Sequence, residues 1–553
     1  MKKAITLFML FVTYLSAFAQ SSFIDLCKTG TPEQITAALK AGASVAERGE
    51  YAYTPLMMAA RDNPDPKAVK ILLNAGAKLD DRSETDKTPF LYACQNNPNI
   101  EVIRLLLSSG AMLTEHTNRG ETAIFWAASY NQKPEVINYL LEIGASVNDK
   151  AIDGSTPLLW AASNNKNPEV ISLLLKSGAS ISERDYDGWS PLLLAASDNE
   201  NPEVISMLLK SGASISERNS EGWSPLFLAA RYNQNPEVIA LLLKSGASIS
   251  ERNSGGESPL LHAASNNENP EVIAFLLKSG ASISERTSDG WSPLLLAARY
   301  NQNPEVIALL LKSGASISER TPDGWSPLHL AVSSEKPSIG IVNLLIKKGA
   351  SMKERTISGW SPLLLATNSK NITVDHIELL LTSGASIAER NSDGWSPLLL
   401  ALRNGLDIEI IKLLLKNGAS VSEKTSYGYT PLLLAVQYYN NPEIVTILID
   451  NRADVTEKDN DGFTALHKAA EFNVNPEIIH ALLKAKASIN EKSDNGYTPL
   501  MMAAMMNSNP EIIMTLLNAS ADGGIKSDEG ITAFDYAKNN PALFGTDAYW
   551  ALN

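Results

Sequence analysis

Apolar and polar positions return in the same order every 34 residues. In the stretch from Ser190 to Trp223, the apolar block Leu192 to Ala196 gives way to polar residues as far as Asn201. A second block follows, with Val204, Ile205, Leu208 and Leu209 recurring at i and i+4, the spacing of a helix with one greasy face. From Ala213 to Gly222 the pattern is polar and turn-forming, which predicts an extended loop or hairpin. Each predicted helix carries its own end signals. Ser190 stands as an N-cap before Pro191, and Asn201 as an N-cap before Pro202 and Glu203. Lys210 suits the negative end of the second helix, and Gly212 supplies the left-handed residue that stops it. The Ala195-Ala196 pair is small enough to let the second helix approach the first closely.

The cap residue falls at Thr54 and then at steps of 34, twice lengthened to 35, until Thr532. A period this strict implies a stack of repeats rather than a globule around one core. Tetratricopeptide repeats share the 34-residue period, but their Trp-x-x-Leu-Gly-x-x-Tyr pattern occurs in no copy. The turn Gly, the Ser/Thr-Pro-Leu-x-x-Ala-Ala run, the Glu-Val-x-x-x-Leu-Leu helix and the closing Gly-Ala together resemble the ankyrin repeat. The resemblance covers the chain from about Ser21 to its end. It implies an all-α, ankyrin-type solenoid of helix-turn-helix units with short hairpin loops, about sixteen units in all. Two departures stand out. The extra residue per unit lies between the helices, where Asn-x-Asn-Pro replaces the family's Gly-His. The histidine of Thr-Pro-Leu-His occurs only at His329 and His467, being mostly Leu elsewhere, which leaves that local hydrogen bond open.

The ends differ from the array. Lys2 and Lys3 precede an apolar run, Ala4 to Leu15, and Ala17-Phe18-Ala19 offers small residues to a signal peptidase. Residues 1–19 therefore read as a secretory signal peptide, with the mature chain beginning at Gln20. The run is shorter than the ~20 residues that span a bilayer, so cleavage is expected rather than anchoring. Residues 20–50 read as an N-terminal capping repeat whose first helix lacks the Ser-Pro cap, 51–530 as the tandem array, and 531–553 as a C-terminal capping repeat. The expected location is periplasmic or extracellular. Near Ser326 and Ser361 the helix connections SSEKPSIG and TNSKNITVD each hold one extra residue, read as surface insertions.

A formal charge of −14, or −16 without Lys2 and Lys3, disfavours nucleic acid and anionic membrane as partners. Cys27 and Cys94 occupy the second Ala position of inner helices two units apart. At ~10 Å per layer they lie beyond the reach of a disulfide and are expected to be buried free thiols.

The strongest functional candidates are aromatic. Between the turn Gly and the cap stand Tyr53, Trp189, Trp223, Trp291, Trp325, Trp360, Trp395, Tyr429, Phe463 and Tyr497, broken only by Lys87, Glu121, Ser155, Glu257 and Ile531. By the ankyrin resemblance this position lies at the hairpin base on the concave groove, where partners dock. Large, rigid, amphipathic side chains there would dominate an interface. A second set follows the Ala-Ala pair, at Arg231-Tyr232, Arg299-Tyr300, Ser129-Tyr130 and Glu471-Phe472. A duplicated Trp that only packs on the next hairpin would give the same row.

Chemistry is not evident. The calcium-loop imitations beginning at Glu183 and Glu457 reach Leu194 and Lys468 where a bidentate Glu is needed. Gly178-x-Ser180 continues to Ser182 rather than the Gly of a nucleophile elbow, and no phosphate loop is present. The six histidines share no ligand spacing. The expectation is a non-catalytic, monomeric scaffold, without cofactor or metal, that binds an unidentified protein or peptide through its groove. A secreted factor acting on another organism's proteins, or a mainly structural rod, are the alternatives.

Overall fold

The computed structural model describes residues 22–553, so the expected signal peptide lies outside the described residues. Among those residues there are 32 α-helices and no strand, only two isolated bridges. They form two compact units, one ending at Ser282 and the other starting at Ile283, and each holds eight helix pairs. Within a unit, inner helices pack on inner helices of adjacent layers and outer helices pack on outer ones.

The layer that starts at Ser190 shows how the sequence builds a pair. Its inner helix runs Pro191–Asp198, longer at both ends than the apolar block alone indicates, and the Ser190 side chain accepts the Leu193 N–H. The outer helix runs Pro202–Lys210 with Asn201 as its cap. It closes in a Schellman motif, in which Ala213 N–H donates to Leu208 C=O at 3.1 Å and Gly212 N–H to Leu209 C=O at 3.1 Å. That geometry sets Gly212 at φ 101°, where a side chain would be strained. Leu192, Leu193, Ala195, Ala196, Val204, Ile205 and Leu208 are all fully buried. The first layer lacks the Ser-Pro cap, as expected, and Ser22 caps helix Phe23–Thr29 without a following Pro.

The Asn-x-Asn-Pro connection has a specific purpose. The Nδ2 of buried Asn199 donates to Ala162 O at 3.0 Å and Asn165 O at 2.9 Å in the layer before, while its Oδ1 accepts the Asn201 N–H. Asn97, Asn131, Asn165, Asn233 and Asn267 repeat the arrangement in the first unit, and Asn473, Asn507 and Asn540 in the second. A buried amide thus satisfies the C-terminal carbonyls that the preceding inner helix leaves without partners. The spine is interrupted in the layers with an extra residue. There the inner helices shrink to Pro327–Val332 and Pro362–Thr367, and Tyr439 later substitutes, its hydroxyl donating to Leu406 O at 2.6 Å.

The recurring Ser-Glu-Arg of the hairpins is a second tie between layers. The Ser224 hydroxyl donates to Glu251, whose other oxygen pairs with Arg218 of the layer before at 3.2 Å. Ser396, Glu423 and Arg390 repeat this in the second unit. Burial raises the carboxyls of Glu251 and Glu423 above their ordinary range. At His329 and His467 the family hydrogen bond is kept. The His329 ring takes the Ser326 N–H on Nδ1 at 3.1 Å and meets Glu354 O through Nε2 at 3.2 Å. Cys27 and Cys94 are buried and unpaired, as expected, and burial pushes the Cys27 thiol up to about 12.

Candidate functional site

The hairpin base fixes each aromatic before the cap. In the first unit, Trp189 and Trp223 donate their N–H groups to Asp185 Oδ1 at 2.8 Å and Asn219 Oδ1 at 2.9 Å. In the second, Trp291 and Trp325 donate to the Thr287 and Thr321 hydroxyls at 3.1 Å each. The backbone ring is closed by Asn219 N–H on Trp223 O, so the side chain leaves a rigid stub. None of these rings is fully exposed. Trp189, Trp223, Trp291, Trp325, Trp360, Tyr429, Phe463 and Tyr497 are half-buried, and Trp395 is buried at 9%.

Their packing shows where the remaining surface comes from. Trp223 lies 4.6 Å from the His262 ring and edge-on to Phe227, with the Arg231 guanidinium 5.0 Å above it. In the second unit, Arg403 sits 4.8 Å over Trp395, and Lys468 4.3 Å over Phe463. Phe463, Tyr497 and Tyr536 follow one another at 6.5 and 5.9 Å between ring centres.

The five interruptions of the ladder are not gaps. Lys87, Glu121, Ser155, Glu257 and Ile531 are each followed five residues later by a ring: Tyr92, Trp126, Trp160, His262 and Tyr536. The layers with an aromatic before the cap have Leu, Met or Lys at that later position. The two positions occupy neighbouring space. Trp160 Nε1 donates to Ser155 Oγ at 3.2 Å, His262 Nε2 meets Glu257 Oε2 at 2.9 Å, and Lys87 Nζ stands 4.7 Å over Tyr92 and 3.9 Å over Trp126. Burial pushes the Lys87 ammonium down to about 8. Within each unit, every layer from Thr54 onwards thus has one ring beside its hairpin base, from one of two sources, and of the alternative rings Tyr92, Trp126 and His262 are buried. The exchange is legible in the sequence as an anticorrelation of positions five apart, a signal that scanning the ladder position alone misses.

The second set of positions is more open. Tyr130, Tyr232, Tyr300 and Phe472 are exposed, and Tyr438 and Met506, missed in the sequence, join them at the same register. Their exposure runs from 44% at Tyr130 to 58% at Met506. Ser129 and Glu471 do not belong to this surface, since Ser129 is fully buried and Glu471 faces Lys468 at 3.9 Å. Arg231 and Arg299 are half-buried beside their tyrosines.

The ankyrin repeats (three copies) family model matches twelve overlapping stretches running from residue 25 to residue 527. The chain belongs to the ankyrin repeat family. Comparison with curated proteins gives no significant match. Ankyrin repeats are in general protein–protein interaction modules, and ankyrin repeat proteins are typically non-catalytic. Among the described residues no group of His, Cys, Asp and Glu comes together that could hold a metal ion. No helix among them is long and apolar enough to cross a membrane.

Proposed function

We propose that this ankyrin repeat protein is an exported, monomeric, non-catalytic scaffold that holds a protein or peptide segment against the face formed by its hairpin bases and inner helices. The observation that carries the reading is the row of half-buried Trp, Tyr and Phe rings that stands before the caps within each unit. Packing alone would be served by the Leu and Met that fill the core elsewhere, whereas a wall of Trp and Tyr supplies rigid, amphipathic contact area at low entropic cost. Leading candidates are Trp189 and Trp223 in the first unit and Trp291, Trp325, Trp360, Trp395, Tyr429, Phe463 and Tyr497 in the second. Arg231, Tyr232, Arg299 and Tyr300 assist. Residues 20–50 and 531–553 serve as capping repeats, a reading supported by the short closing helices Ala533–Ala537 and Asp547–Ala551.

The half-burial of the ladder favours a second reading, a mainly structural rod. One comparison separates the two. The wild-type chain and a variant with Ala at Trp189, Trp223, Trp291 and Trp325, both shown to be folded by circular dichroism, are used as baits on the native exported fraction. A protein retained by the wild type and lost by the variant supports the scaffold. Equal retention, or none by either bait, moves the rod ahead. Export is tested by N-terminal sequencing of the secreted chain, which is expected to begin at Gln20.

A further inference from the structure

The arginines at the ends of the inner helices are out of keeping with the rest of the molecule. Aspartate and glutamate outnumber lysine and arginine by 61 to 47, and hairpin arginines find carboxylates, as Arg218 finds Glu251 and Arg390 finds Glu423. Arg231 and Arg403 make no ion pair among the described residues, and each lies over a ladder tryptophan. Arg231 is held between two rings, 5.0 Å from Trp223 and 5.1 Å from Tyr232, and its Nε is buried without an acceptor. Arg403 is exposed above Trp395. Arg299 also lacks a carboxylate, one guanidinium nitrogen donating to Ser333 O at 2.6 Å and to Ser333 Oγ at 2.8 Å. In the second unit the inner helices from Pro293–Tyr300 to Pro431–Tyr438 contain Arg299 and Arg403 and no Asp or Glu. Along that stretch of the second unit the aromatic face is therefore locally cationic in an acidic chain, whereas in the first unit Arg231 stands alongside Asp198 of the layer before and Glu257 of the layer after.

We propose that the segment held on this face is acidic. Asp or Glu side chains of a segment held on the first unit are received by Arg231, and those of a segment held on the second unit by Arg403, while apolar side chains lie against the neighbouring rings of the same unit. This inference rests on the scaffold reading above and names the chemistry of its partner. A guanidinium stacked on an indole keeps its nitrogen edge free for a carboxylate, and stacking pre-organises the fork so that less entropy is lost on pairing. Asp289, Asp323 and Asp393, exposed at the hairpin tips, carry the opposite sign. They turn the partner's acids towards the helices and away from the tips, the way charge complementarity sets orientation. A few arginines in a chain of this net charge do not make a track for a polyphosphate backbone.

The test uses the full mature chain and a displayed library of random ~12-residue peptides. Selected peptides are then synthesised with a fluorescein label and titrated against the wild type, Arg231→Gln, Arg403→Gln, and the folded Trp223→Ala and Trp395→Ala variants. The expected outcome is enrichment of Asp and Glu among apolar residues. Affinity should fall about tenfold or more in an arginine variant, and by a similar factor when the peptide's carboxylates are replaced by amides. Neutral or basic winners, or affinities unmoved by both arginine variants, overturn the acidic partner. If those same peptides are lost by the tryptophan variants, the scaffold reading survives that failure. Peptides that bind the tryptophan variants as tightly as the wild type overturn the face itself, and a library from which nothing is enriched overturns both.

Discussion

His329 and His467 hold their rings in a fully buried site, and burial brings both down to about 4. In the unfolded chain each has its ordinary value near 6.5. Between those values the unfolded state binds more protons, so the stability these rings lend is fully present above ~6.5 and is lost as pH falls through about 4. The difference corresponds to roughly 3 kcal/mol per ring. Half-buried Glu251 and buried Glu423, with raised values, act in the opposite sense, their contribution being lost as pH rises through those values. His329→Leu, which installs the residue most layers carry here, isolates one ring. Thermal melts of wild type and variant should converge at pH 7 and separate at pH 4 in favour of the variant; parallel curves would show that the ring is not buried neutral. A second residue-scale expectation concerns the helix-stop position. Lys486 takes it at φ 69° and Arg452 at φ 73°, where Gly stands in every layer from Gly42 to Gly418. A non-glycine residue in that region costs about 1 kcal/mol, so Lys486→Gly should raise stability by that amount in denaturant titrations.

At the scale of the element, the asparagine connection decides how layers are joined. Asn199→Ala removes two hydrogen bonds to buried carbonyls and the acceptor for the Asn201 N–H. The carbonyls are left without partners, a loss of roughly 2–3 kcal/mol. Asn266→Ala, at an exposed site on the same repeat pattern, should stay within about 0.5 kcal/mol of wild type. Equal effects of the two substitutions in urea unfolding would remove the spine from the account. The helix pairs, caps and the glycine stop were legible in the sequence because each depends on local rules: Ser190 on its own N3 amide, Gly212 on its own φ. The role of Asn199 was not, because its partners, Ala162 and Asn165, are 37 and 34 residues away and only stacking brings them together. The ring exchange between Ser155 and Trp160 is legible only in part, as an anticorrelation of residue types five positions apart. The ladder position was visible, but that two positions share one volume follows from the tertiary arrangement. The extra residues near Ser326 and Ser361 were located correctly, yet their consequence, a shortened inner helix, depends on the missing Asn.

For the molecule as a whole, stability in a stacked array is close to a sum of layer terms and nearest-neighbour terms, so it need not be uniform. In the first unit the asparagine spine runs from Asn63 to Asn267. The second unit contains the interrupted stretch, with inner helices Pro327–Val332 and Pro362–Thr367 six residues long, against eight for Pro191–Asp198. The cores of these layers are otherwise equivalent, since Leu328, Val332, Leu363, Leu364 and Ala366 are all fully buried. What differs is the tie, two buried hydrogen bonds at about 1 kcal/mol each, of which Pro362–Thr367 keeps only a long one from Asn404 Nδ2 to Thr367 O at 3.4 Å. A deficit near 2 kcal/mol in local opening corresponds to roughly thirtyfold faster amide exchange where opening limits exchange. Hydrogen–deuterium exchange read by mass spectrometry should therefore find the amides of 327–332 and 362–367 labelled well before those of 191–198. Placing Asn at Ser334, where the connection follows the shortened helix, should slow the first of these if it reforms the tie. Uniform protection across the three segments would mean that apolar burial alone sets local stability and that the asparagines serve only to fix the path of the chain between helices.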